Sequence, residues 1–137
     1  MREFKFRAWD DEAKKMYSPE ALEQPEIEDE TRRTIYCYLS FGVLYIYDFR
    51  AAEPVEFVPM QATGWFDKKR NEVYEGDILQ VEENGQVSLC KVIWSEEIAG
   101  FMILSHDGMS MVGGPHMTDF VEVVGNIYEN PDMMTYR

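Results

Sequence analysis

The sequence predicts a mainly β chain: a small barrel in the C-terminal half, an N-terminal β extension, and one or two short helices. Three observations lead there. Short runs rich in Tyr, Ile, Val and Phe recur along the chain, many with the period of two that puts alternate side chains on opposite sheet faces. Turn dipeptides such as Asn84-Gly85 and Asp107-Gly108 separate them at close spacing. Only Ser18-Pro19-Glu20 carries a full helix-start signature: a capping hydroxyl, proline at the first helical position and an acid at the positive end of the dipole.

Taken in order, residues 4–9 alternate aromatic and charged side chains and form a first strand. Asp10-Asp11 and Lys14-Lys15 turn the chain, and Met16-Tyr17 returns as a short strand. The helix after Ser18 is brief because Pro25 follows. Residues 23–33 are acidic, offer only Ile27 for burial, and read as a mobile loop. Residues 34–41 and 43–50 form an antiparallel pair joined at Gly42, with Tyr36 and Tyr38 lining one face. Residues 51–54 break the pattern and 55–60 resume it; Pro59 marks an edge or a bend, since proline gives nothing to the ladder.

The second half is a series of strand–turn units. Residues 77–81 alternate, Asn84-Gly85 turns them, and 86–94 pair back, with a change of parity near Cys90-Lys91 that reads as a bulge. Residues 100–105 form another strand, Gly113-Gly114-Pro115 a loop, and 120–128 the closing strand. Residues 131–137 form a tail with room for one helical turn. The run from Glu75-Gly76-Asp77 through the hairpin to Val92-Ile93-Trp94 and Gly100-Phe101 looks like the start of an SH3-like barrel. The chain divides into an N-terminal β region at 1–62, carrying the acidic loop 23–33, and a barrel region at 63–137. Together they are read as one cooperative domain over 1–131.

Composition bounds the function. With 137 residues, 45% of them hydrophobic, the chain can build a core. Its longest apolar runs span a few residues, against the roughly 20 that a membrane helix needs. The first residues alternate charge with aromatics and lack a signal-peptide core, so the cytoplasm is the expected location. Cys37 and Cys90 sit in apolar strands and are expected to be buried thiols. The net charge is −13, and Lys91 is the only basic residue between Asn71 and Tyr136. Direct nucleic-acid binding, which draws on a basic surface, is therefore not expected. An acidic decoy that imitates nucleic acid and occupies a basic host protein is the rival reading.

Three stretches resemble the YopX family of phage and prophage proteins. The first is Lys5-Phe6-Arg7-Ala8-Trp9-Asp10 with Lys15-Met16. The second is Thr63-Gly64-Trp65-Phe66-Asp67, followed by Glu72-Val73-Tyr74-Glu75-Gly76-Asp77-Ile78-Leu79. The third is Val123-Val124-Gly125-Asn126-Ile127-Tyr128-Glu129-Asn130-Pro131. The resemblance implies a bacterial host setting and a fold; no activity is settled for the family. Members carry an Asn-Gly turn where this chain has Lys69-Arg70. Arginine is penalised at positive φ, so the turn is expected to shift onto Asn71 or change type.

Arg7, Trp9, Asp10, Gly64, Asp67, Tyr74, Gly76, Asp77, Gly125 and Asn126 are expected to be structural. Lys68, Lys69 and Arg70, a basic tip on an acidic chain, are the candidate partner contact. His106 and His116 lack metal-ligand spacing, no phosphate loop or nucleophile motif is present, and no cofactor is expected. Acid–base catalysis by Glu72, Glu75 and Asp77 is the enzymatic alternative, a hydrolase or nuclease. The favoured reading is a non-enzymatic protein-interaction module, with self-association through strand edges and aromatics. Trp9, Trp65, Tyr74 and Trp94 are expected in the core.

Overall fold

The computed structural model describes residues 4–23, 34–50 and 53–134. The chain divides into two compact units, residues 1–61 and 62–137. Both are antiparallel β structures. Most of the acidic segment 23–33 lies outside the described residues.

In the first unit, β1 (Phe6–Asp10) pairs with β2 (Lys15–Tyr17) across a turn that Asp10 organises. Asp10 Oδ1 accepts the amides of Glu12 and Ala13, both at 3.1 Å, which explains a carboxylate with no exposed surface at a strand end. The helix α1 (Pro19–Glu23) starts where the sequence places it: Ser18 Oγ accepts the Ala21 amide. Strands β3 (Thr34–Ser40) and β4 (Val43–Arg50) form the expected hairpin, and Phe41 and Gly42 both take positive φ, as a two-residue hairpin turn requires. The sheet runs β2-β1-β5-β4-β3, with β5 (Glu53–Phe66) at its centre. Its core gathers Ala8, Tyr17, Leu22, Ile46 and Phe57, with the Tyr17 and Phe57 rings stacked at 5.0 Å.

Pro59 lies inside the 14-residue β5, opposite Ala8. The β4 ladder has ended at Ile46–Phe57, so on that side the strand has no partner at the proline among the described residues, in keeping with an edge. Cys37 departs from expectation, since it is exposed. It lies opposite the core residue Ile46 on the last strand of the sheet's path, where no further strand among the described residues lies beside it.

β5 continues into the second unit, where its end pairs with β6 (Glu72–Tyr74). There, β7 (Asp77–Glu83), β8 (Gln86–Ser95), β9 (Gly100–Ser105), β10 (Ser110–Val112) and β11 (Val121–Asn126) form one sheet in the order β10-β9-β8-β7-β11. A 3-10 helix, Pro115–Phe120, precedes the last strand, and a second, Pro131–Met134, supplies the expected tail turn. Asn84 and Gly85 take φ of 52° and 77°, the two left-handed residues of the hairpin turn. The sheet is open: β10 and β11 end the path, and no pairing between them closes a barrel.

The core of this unit is Val73, Leu79, Val81, Cys90, Val92, Ile103, Met117 and Val121, with Trp65, Phe101, Phe120 and Val123 packed on it. The expected bulge in β8 is not there. Its register against β7 and β9 is unbroken, so Cys90 and Val92 face the core while Val87 points out. Trp94 is likewise not a core residue. It is 47% exposed at the sheet's end and meets Phe101 edge-on at 5.1 Å, and Phe101 in turn meets Trp65. No helix among the described residues is long and apolar enough to cross a membrane.

Gly113 lies flat against Trp65: a Cβ there falls 2.0 Å from the indole edge. Gly113→Ala is therefore expected to lower stability by about 1–3 kcal/mol in denaturant unfolding. The loss should shrink when Trp65 is replaced by Ala in the same chain, because the clash then has no partner.

Candidate functional site

The segment 63–79 concentrates the family-like motif, and its geometry is that of a braced hairpin. Gly64 takes φ of 86° where the β5–β6 register shifts, the position a bulge gives to glycine. Beside it, Thr63 Oγ1 donates to the Val73 carbonyl at 2.8 Å and accepts the Trp65 amide at 3.0 Å.

Asp67 is the centre of the loop that follows. Its Oδ1 accepts the amides of Lys69 (3.0 Å) and Asn71 (2.8 Å); its Oδ2 accepts the Asn71 side-chain amide (3.2 Å) and the Val123 amide (2.9 Å). The last bond reaches across 56 positions to β11. The Lys68 amide makes a parallel tie to the Val121 carbonyl. Burial alone would raise the Asp67 pKa. The bonds from Val123, Asn71 and Lys69 outweigh it and hold the carboxyl below the usual carboxylate range.

The turn neither moves onto Asn71 nor avoids strain, because Arg70 itself takes φ of 69°. Its amide donates to the Asp67 carbonyl, and the Asp67 amide to the Asn71 carbonyl, so the loop is held at both ends. Within the basic tip, Lys69 Nζ pairs with Glu122 at 2.5 Å, which raises the lysine pKa and lowers that of the glutamate. Lys68 and Arg70 are exposed on either side.

Downstream, Asp77 Oδ2 accepts the Tyr74 amide at 2.7 Å, and Gly76, at φ 88°, exchanges backbone bonds with Val92 and Ile127. Asp77 is thus built into the turn that enters β7. Asn126, opposite Asp77 in the β7–β11 ladder, organises the next turn: its Oδ1 accepts the amides of Tyr128 and Glu129, and its Nδ2 donates to Glu129. Gly125 leaves room for Asn130, whose Oδ1 would lie 2.6 Å from a Cβ there. In the other unit, Trp9 is buried and its indole donates to Asp11.

His106 and His116 are both exposed, and no group of three or more His, Cys, Asp or Glu side chains converges as a metal site among the described residues. Burial pushes both cysteine thiols up, opposite to the direction that activates a nucleophile.

The surface with most apolar exposure in the first unit is the far end of the β3–β4 hairpin. Tyr36, Tyr38, Leu39, Phe41 and Val43 are all exposed there, and Phe41 is fully so. Tyr38, Tyr45 and Tyr47 stack on one face with neighbouring centroids 5.4–6.2 Å apart. The sequence had marked the tyrosine face without naming it a site. The signal was available: no charged residue occurs from Thr34 to Tyr47 in a chain that is 28% charged.

Known proteins then fix the relationship. The family model described as YopX protein matches residues 5–135. The chain belongs to the YopX family. Protein EF1440 from Enterococcus faecalis has a similar crystal structure, with a TM-score of 0.62 at 24% identity over 98% of this chain and 100% of that one. Protein yopX from Bacillus subtilis gives 0.57 at 17% identity over 93% and 95%. At these identities the likeness is one of fold. No curated protein matches the chain.

Two outcomes test the loop of this YopX-family chain. Asp67→Ala strands amides that the carboxylate now satisfies, so a loss of about 2–4 kcal/mol is expected in denaturant unfolding. Because the folded carboxyl titrates below the unfolded one, its contribution is complete above the unfolded value of about 3.9 and is lost as pH falls toward the folded value. Asp67→Asn should therefore flatten the acid limb of the stability profile. Arg70→Gly removes the left-handed strain against a smaller entropic cost in the unfolded chain, and should raise stability by about 0.5–1 kcal/mol.

Proposed function

We propose that this YopX-family chain is a non-enzymatic protein-interaction module that works in the cytoplasm of a bacterial host carrying its phage or prophage. The observation that carries the reading is the outer end of the β3–β4 arm, where aromatic and aliphatic side chains are exposed on both faces. Contiguous exposed apolar surface of this kind marks interaction sites. Of the carboxylates that could have formed an acid–base pair, Asp77 accepts the Tyr74 amide inside the fold.

We further read the second unit's sheet as an opened SH3-like barrel. In support, its last strand follows a 3-10 helix and returns to pair with the first strand, β7, so the path is β11-β7-β8-β9-β10. The basic tip supports a contact less well, because Lys69 is already engaged with Glu122.

Affinity capture with the native chain and with a Tyr38→Lys, Leu39→Lys double variant checks the reading. A specific protein retained by the native chain and lost by the correctly folded variant is the expected result. Equal retention by both removes the arm from the function.

A further inference from the structure

Strand β3 reads the same in both directions. Thr34-Ile35-Tyr36-Cys37-Tyr38-Leu39-Ser40 runs hydroxyl, aliphatic, tyrosine, cysteine, tyrosine, aliphatic, hydroxyl. Cys37 is its midpoint. β3 is the last strand of its sheet's path, and among the described residues it pairs with β4 alone. It carries none of the usual devices that protect an edge: no lysine, no proline, no inward charge, no register shift against β4.

On these grounds we propose that the occupant of the β3 edge is a second copy of the same chain, paired antiparallel to β3 about a two-fold axis at Cys37. This deepens the interaction reading above and rests on it. The register follows from the axis. Ile35 faces the partner's Leu39, Tyr36 faces the partner's Tyr38, and Cys37 faces the partner's Cys37. Like meets like on each face, which is the self-complementarity an isologous interface needs. The tyrosine stack of one copy continues into that of the other, as cross-strand aromatic pairs.

One further observation favours a second copy. With a net charge of −13, two chains repel, and the stretch from Thr34 to Tyr47 is where they can meet without bringing charge together.

The test uses the full chain under reducing conditions, by size-exclusion chromatography with light scattering across a concentration series. The expected mass rises to twice the 16.1 kDa of one chain. Cys37→Lys puts two like charges on the axis while altering only an exposed side chain, so it should weaken dimerisation by at least about tenfold with the circular dichroism unchanged. Diamide oxidation gives a second readout. Opposite residues of an antiparallel pair lie within the Cα spacing that a disulfide spans. Cys37 should therefore cross-link to the partner's Cys37, diamide taking up the two thiol hydrogens, in the native chain and in Cys90→Ser but not in Cys37→Ser. A mass of one chain at every concentration overturns the inference, as does a dimer that Cys37→Lys leaves intact. If the chain is monomeric and the arm still retains a different protein in the capture experiment, the interaction reading stands and the second copy is excluded.

Discussion

A carboxylate with no exposed surface is unfavourable unless donors surround it, and Asp67 is surrounded. Its two oxygens take two amides and a side chain from its own loop, and one amide from β11. That last bond makes a local turn into a tertiary tie. It fixes the end of the β5–β6 hairpin against the strand that closes the sheet. The register of β11 on β7 then sets Asn126 opposite Asp77, where two more side-chain-organised turns begin. Asp67 and Asp77 of the shared motif therefore serve the fold, and the loop strain at Arg70 is tolerated because Asp67 and Asn71 clamp both sides of it.

What could be read in the sequence was what is decided locally. Asn84-Gly85, the joint at Gly42, Ser18-Pro19 and the Asp10 turn follow from backbone preference and from side chains that reach two or three residues along the chain. Asp67, Asp77 and Asn126 likewise accept amides within two to four residues of themselves. What could not be read depends on where a strand stops relative to the core. Cys37 and Trp94 alternate as buried residues do, yet Cys37 lies on the last strand of its sheet and Trp94 at the end of its own. Closure of the barrel is the least local property of all, since it turns on whether β10 and β11 meet.

The two units handle apolar surface differently. In the second, Trp65, Phe101 and Trp94 form a chain of edge-on rings that carries the core out to the sheet's end, so even the exposed tryptophan is half-supported. In the first, the hairpin simply outruns its core: Ile35 and Leu44 pack on it, and Leu39, Phe41 and Val43 do not. A fold under no other demand would place lysine or glutamate at such positions, and this chain has charge to spare elsewhere.

Charge and apolarity are thus segregated along the chain, and the separation itself argues for function in binding. An acidic surface keeps the molecule from associating at random, because most approaches bring like charges together. The uncharged stretch from Thr34 to Tyr47 is then the place where short-range packing can act before long-range repulsion wins. The same arrangement discriminates among partners. A basic protein would be drawn to the acidic face and away from the arm. A partner that matches the arm must be uncharged where it docks and able to extend a sheet edge.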